Sequence, residues 1–313
     1  MEYQQPRIEF YRQRSFSEKL NAVFAFIREN WKPLFKYSFY LMMPICLIQT
    51  FAMNSVMNIS FSAGLGAGTN GQFGNSLVSL LGNYGVLLFC ALIGSAILSG
   101  MIYAMMQTYA VRENRLQNVT LNDFKELLVK NAWKYLRLFV VMFFAYILIV
   151  AIMALLAILI SKWSLLLTIP LFIVCIIFLI PLMLVFPVYI FEWDISFVHA
   201  FRKAWKLGYA TMGGMIGLMV VLYFIASIVQ TITMLPWYIT SLVGLVFSVS
   251  SEAAVNQSVF FKFIQYIFGL IQSMGVYISS IISIIGIAFH YFHAREKVEG
   301  VTIESNISNF GNL

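Results

Sequence analysis

The sequence predicts an all-α integral membrane protein, with six transmembrane helices plus three cytoplasmic interfacial amphipathic helices, arranged as three repeats of an amphipathic helix and a helical hairpin. Three observations lead there. The 313 residues are 61% hydrophobic and only 11% charged, against about a quarter charged in soluble proteins, too few charges to keep that apolar surface in water. Six stretches, at about 35–57, 84–110, 137–160, 163–190, 207–235 and 262–292, reach the roughly 20 apolar residues that cross about 30 Å of hydrocarbon. Finally, one short pattern is written three times: IRENWKPLF at 27–35, VKNAWKYLR at 129–137 and FRKAWKLGY at 201–209. In each, a cation (Arg28, Lys130, Arg202) precedes Trp-Lys by three residues and a long apolar run follows.

Taken in order, residues 1–32 are polar and charged, with no apolar run before a small-residue cleavage site. A cleaved signal peptide is therefore not expected, and the first membrane helix directs insertion. Ser15 and Glu18 have capping-box spacing and open an amphipathic helix. Its apolar stripe is Phe16, Leu20, Val23, Ile27 and Trp31, with Glu18, Lys19 and Glu29 elsewhere. After the first span, the outer connection FSAGLGAGTNGQFGN at 61–75 contains a literal GxGxxG at Gly66, Gly68 and Gly71. A dinucleotide fingerprint needs a strand before it and a helix after it in a soluble unit; here two spans flank it, so a flexible loop and no cofactor are expected.

The second span leads to Thr120 and Asp123, which open a second amphipathic helix with Leu121, Phe124, Leu128 and Ala132 opposite Lys125, Glu126 and Lys130. Spans three and four are joined at Ser161-Lys162, and Pro170, Pro181 and Pro187 predict kinks in the fourth. Asp194 is the expected cap of the third amphipathic helix, where Val198, Phe201 and Trp205 oppose Arg202, Lys203 and Lys206. The fifth span carries Ala210, Gly213, Gly214 and Gly217 at a spacing that brings helices close. Pro236 to Ser250 is apolar but short and is predicted to be interfacial or re-entrant. The sixth span ends at HYFH, 290–293, and a short cytoplasmic tail, 294–313, follows. The whole is one polytopic domain, 1–313, with repeat units at about 15–110, 120–191 and 194–293.

Charge placement predicts orientation. Of 20 Lys and Arg, eighteen fall at the N-terminus, in 112–137, in 202–206 or at 295–297, and only Lys162 and Lys262 lie on the opposite side. Cytoplasmic loops collect Lys and Arg, so both termini are expected inside. The amphipathic helices then lie in the cytoplasmic interface, with Trp at headgroup depth and Lys reaching phosphate. Trp31, Trp133, Trp193 and Trp205 fall at inner boundaries; Trp163 and Trp237 fall at outer ones. The candidate lipid-headgroup residues are Arg28, Trp31, Lys32, Lys130, Trp133, Lys134, Arg202, Trp205 and Lys206.

Reactive chemistry is sparse. Cys46, Cys90 and Cys175 lie singly in apolar spans, without disulfide or zinc spacing. No Asp, Glu, Lys, Arg or His falls near the middle of a predicted span, where transporters and intramembrane enzymes place ionisable groups. Gln49, Asn54, Gln107 and Gln230 are expected to hydrogen-bond between helices, and the serines of YISSIISIIG, 277–286, to pack them. His290, His293 and Glu296 have i, i+3 spacing for a metal, but no further ligand is identifiable, and an interfacial position is expected. His199 is expected in water.

Two stretches, FSEKLNAVFAFIRENWKPLFKYSFYLMMP at 16–44 and DISFVHAFRKAWKLGYATMGGMIGL at 194–218, resemble the bacterial six-span membrane domain that precedes some glycerophosphodiester phosphodiesterases, and related stand-alone inner-membrane proteins. The resemblance implies an all-helical module in a bacterial inner membrane. Nothing here resembles the soluble phosphodiesterase barrel, so that activity is not implied. The expected function is a non-catalytic membrane module that engages lipid, anionic by the charge of its collar, or scaffolds a membrane partner or a second copy. A carrier for a lipid or other apolar substrate is the alternative, and an intramembrane enzyme the least favoured. The basic residues are not gathered on a soluble domain, which excludes nucleic acid.

Overall fold

The computed structural model describes residues 6–64, 72–159, 170, 179–192, 195–249 and 258–302. Among these the secondary structure is helical, with no strand. Helix α1 spans Phe16–Gly64, α2 Gln72–Val111 and α3 Leu121–Leu159. A 3₁₀ segment, Ile180–Leu184, runs into the short α4, Val185–Phe191. Then come α5 at Phe197–Ala210, α6 at Met212–Val249 and α7 at Val259–Glu299. Five of these, over Phe16–Ser60, Leu77–Val111, Leu121–Ile152, Met212–Phe247 and Val259–Glu299, are long and apolar enough to cross a membrane. The chain is thus a helical, multi-pass membrane protein by length and composition. Of the expected fourth span only Pro170 and 179–190 are among the described residues.

The chain forms two compact units, neither of which coincides with a repeat unit. One comprises Met1–Trp31, Ser99–Leu222 and Ile282–Leu313; the other comprises Lys32–Leu98 and Tyr223–Ile281.

The first unit is held by aromatic packing and ion pairs. Phe10, from the segment before α1, stacks on Phe292 at 4.9 Å and meets Phe26, Tyr109 and Phe289 at 5.7–6.2 Å. Such pairs add about 0.5–1.5 kcal/mol each beyond the area they bury. Glu29 joins Arg115 at 2.8 Å and accepts from the Tyr109 hydroxyl at 3.2 Å. Arg115 has a backbone φ of 51°, a region a bulky residue seldom occupies. Gln107 accepts from Asn131 at 2.9 Å, tying α2 to α3.

The second unit is tied by single polar bonds between apolar helices. Trp237 Nε1 donates to Asn54 Oδ1 at 2.7 Å, and Tyr277 donates to Gln49 Oε1 at 3.0 Å. Thr50 and Ser273 share a proton-bridged contact at 3.2 Å. In hydrocarbon such bonds contribute about 0.6–2 kcal/mol each. Three of the four amides expected to bridge helices therefore do so.

Several local expectations are corrected. Trp237 is buried with its N–H bonded to Asn54 rather than wet; Trp163 and Trp193 lie outside the described residues. Pro236 to Val249 does not form a separate re-entrant piece but continues α6, its proline inside the helix. Asp194 lies outside the described residues, and the cap of α5 is Ser196, whose hydroxyl accepts from His199 N–H at 3.4 Å. The Ser15–Glu18 capping box is formed from both sides, at 2.7 and 3.4 Å, while Asp123 Oδ2 accepts from Thr120 N–H at 2.8 Å. The serines at 279 and 280 donate to Val276 O in their own helix. The Gly-rich connection 65–71 and Cys175 lie outside the described residues.

The three elbows differ. Helix α1 kinks at Asn30, one residue before Trp31. The break between α5 and α6 falls at Thr211, six residues past Trp205, and α3 runs uninterrupted through Trp133.

Candidate functional site

On α1 the buried face runs through Lys19, Val23, Phe26 and Asn30, whereas Phe16 and Trp31 of the expected stripe are exposed. On α5 it runs through Ala200, Ala204, Leu207 and Gly208, with Val198 exposed. Of the expected stripes, α1 buries Val23 and α3 buries Phe124 and Leu128. The physical reason is the solvent. At a bilayer an apolar face can meet lipid as well as protein, so part of the α1 and α5 stripes stays outward while Lys19 and Asn30 lie inside with Val23 and Phe26.

Part of the collar lines two grooves within the first unit. One, of about 480 Å³, is walled by Leu136, Leu138, Val140, Val141 and Phe197, with Trp133, Arg137 and Tyr189 completing it. Helix α3 supplies most of it, and Phe197 comes from the first turn of α5. Lys134 beside it donates to Tyr189 O at 2.8 Å and lies over that ring at 5.1 Å. The second groove, of about 620 Å³, holds Arg202, Lys203, Lys206 and His199 opposite Glu192 and Glu299. Lys203 bridges Glu192 and Glu299 at 2.9 Å each, and Arg295 joins Glu299 at 3.0 Å. His199, though exposed, pairs with the Ser196 hydroxyl at 2.9 Å.

Arg28, Trp31, Lys32 and Lys130 are exposed but line neither groove; Trp205 is half-buried and stacks on Tyr209 at 6.4 Å. The collar is thus brought together only in part: Trp133 of the second copy lines the apolar groove, while Arg202 and Lys206 of the third line the charged one.

No family model, curated protein or solved structure matches this chain.

A further cluster lies inside the first unit. His290 is fully buried, contrary to the interfacial position expected, and its Nε2 lies 3.0 Å from the Thr211 hydroxyl. His293 Nδ1 accepts from Arg14 N–H at 3.0 Å, and Glu296 accepts from Thr302 N–H at 3.1 Å. The three are therefore engaged separately, and among the described residues no group of three His, Cys, Asp or Glu is placed for a metal. Burial lowers the Arg14 pKa from its ordinary value, Arg12 adds to this, and Glu9 and Glu18 oppose it; a guanidinium stays protonated regardless. Arg14 is held by Phe10 O at 3.0 Å and by Glu9 O.

Of the four small residues of α6 and its approach, only two receive a neighbour closely. A Cβ at Gly214 would stand 3.0 Å from Lys19 Nζ and 3.8 Å from His290 Cε1, and one at Gly217 would stand 3.4 Å from the Phe16 ring. Gly213 faces open space and Ala210 is exposed. Sequence reasoning missed Arg137, Tyr189 and Phe197 as groove residues, and Lys19 and His290 as neighbours. One signal for Lys19 was present, since it shares a helical face with Val23, Phe26 and Asn30.

Proposed function

We propose that the protein is a non-catalytic, multi-pass module of a bacterial inner membrane that engages anionic phospholipid at its cytoplasmic face. The observation that carries the reading is the groove on α3. Its aliphatic walls suit an acyl chain, Arg137 supplies a cation for a headgroup phosphate, and Trp133 and Tyr189 have the amphipathic rings that favour headgroup depth. The carboxylates Glu29, Glu192 and Glu299 are held in bridges to Arg115, Lys203 and Arg295, an arrangement suited to structure more than to acid–base chemistry. The resemblance carried by 16–44 and 194–218 points the same way.

Six spans with both termini cytoplasmic belong to this reading. Arg14 meets His293, Phe10 meets Phe292, and Tyr11 accepts from Arg295 at 3.2 Å. Segments that touch within one unit favour an even number of crossings between them. Five helices of spanning length then call for a sixth crossing, which the apolar run 163–190 would supply, and the eighteen-to-two charge split favours the inside for both ends.

The test is lipid retention. A cation near an anionic surface contributes about 1 kcal/mol, so Arg137→Gln is expected to lower retention of phosphatidylglycerol about fivefold in native mass spectrometry, and Trp133→Ala to lower it further. Equal retention by wild type and both variants would sink the reading.

A further inference from the structure

We propose that the first turn of α6, together with Lys19 and His290, forms a binding site for a phosphate monoester. Three observations converge on it. Helix α6 begins at Met212, and Met215 N–H donates to Thr211 O at 3.0 Å. The N–H groups of the turn before Met215 have no acceptor within the helix, and they form the positive end of its dipole. Among the described residues no N–H of this turn donates to the Thr211 hydroxyl, which itself donates backwards to Leu207 O at 2.8 Å.

Against this same turn the protein lays a cation. Lys19 is 3% exposed, its ammonium lies beside Gly214, and no acceptor or carboxylate pairs with it among the described residues. An unpaired ammonium beside a helix N-terminus is repelled by it, and an anion between the two would relieve that repulsion. Gly213, exposed and with nothing within 4 Å of a would-be Cβ, leaves room for that anion to approach.

His290 narrows the class of anion. We assign the single proton of the Thr211 hydroxyl to Leu207 O, at 2.8 Å, which makes His290 Nε2 the donor of the pair at 3.0 Å. Nδ1 is then a bare lone pair, buried and without a partner among the described residues. A singly protonated phosphate monoester answers all three features. Its unprotonated oxygens accept from Lys19 and the backbone amides, as phosphate does at other helix N-termini, and its P–O–H donates to Nδ1. With a second pKa of about 6, a monoester has such a proton to offer; a diester has none. Free phosphate and the headgroup of a phosphatidate lipid share this chemistry. The site shares no residue with the α3 groove and does not rest on it.

The test uses the full chain in phosphatidylcholine nanodiscs, with the thermal unfolding midpoint followed against inorganic phosphate and, separately, against phosphatidate or phosphatidylglycerol added to the disc. Phosphate or phosphatidate is expected to raise the midpoint saturably. Lys19→Met should weaken that response at least about tenfold, while raising the midpoint in phosphate-free buffer because an unpaired buried charge has gone. Gly213→Asp has room for its side chain and places a carboxylate at the helix start; it should keep or gain stability and lose the phosphate response. A response to free phosphate supports a solute ligand, and a response to phosphatidate alone supports a lipid one. No response to either, a response undiminished in both variants, or phosphatidylglycerol acting through Lys19 as well as phosphatidate does, overturns the assignment.

Discussion

Two glycines of α2 show how the meaning of a residue depends on what faces it. A Cβ at Gly100 would stand 2.8 Å from Ala132 N and 3.0 Å from its Cα, whereas Gly85 has nothing within 4 Å. Backbone cannot swing aside as a side-chain end does. Gly100→Ala is therefore expected to cost about 1–3 kcal/mol, while Gly85→Ala should be neutral or gain up to about 1 kcal/mol from helix propensity. Thermal midpoints by tryptophan fluorescence in detergent would check the pair, and a cost at Gly85 matching that at Gly100 would refute the explanation. Nothing in the sequence distinguishes these two glycines, because the distinguishing atoms belong to α3. The same holds for the candidate site. The Trp-Lys cations were legible from repetition, whereas the approach of Lys19 to His290, from helices at opposite ends of the chain, was not.

At the scale of elements, the segment from Ile8 to Ser15 is the least expected structural part. It reads as polar and charged, yet Phe10 packs among four rings and Arg14 lies over Phe289 at 5.5 Å. Phe10→Ala should destabilise the first unit by about 2–3 kcal/mol, below the full cost of a core phenylalanine because the ring is half-buried. Trypsin should then cleave faster at Arg7, Arg12 and Arg14; unchanged cleavage would mean that the rings merely touch. The helices themselves were legible from apolar run length and from caps such as Ser15 with Glu18. Which face each helix buries was less so. Periodicity marks an apolar stripe, but beside a bilayer that stripe has two apolar surroundings to choose between, and α1 and α5 turn much of theirs outward. Continuity was also hard to read: Pro236 suggested an end, yet α6 passes through it.

For the whole molecule, the spans and charge asymmetry were legible because both follow from the solvent, whereas the two compact units were not, being assembled from segments far apart in the chain. Reporter fusions after Asn70 and after Glu299 are expected to lie on opposite sides of the membrane, with the second cytoplasmic. Fusions reporting the same side would contradict six crossings. The contact between Arg14 and His293 also has a consequence in time, for these residues are 279 apart. At about 5–20 residues per second, the ribosome makes the second roughly 15–60 s after the first. Throughout that interval Phe10 and Phe26 lack Phe289 and Phe292, and the chain waits with an uncovered aromatic surface. Helix α7, made after the other described helices, is the one that covers it, so a translation product halted before Phe289 would keep that surface permanently open to chaperones and proteases.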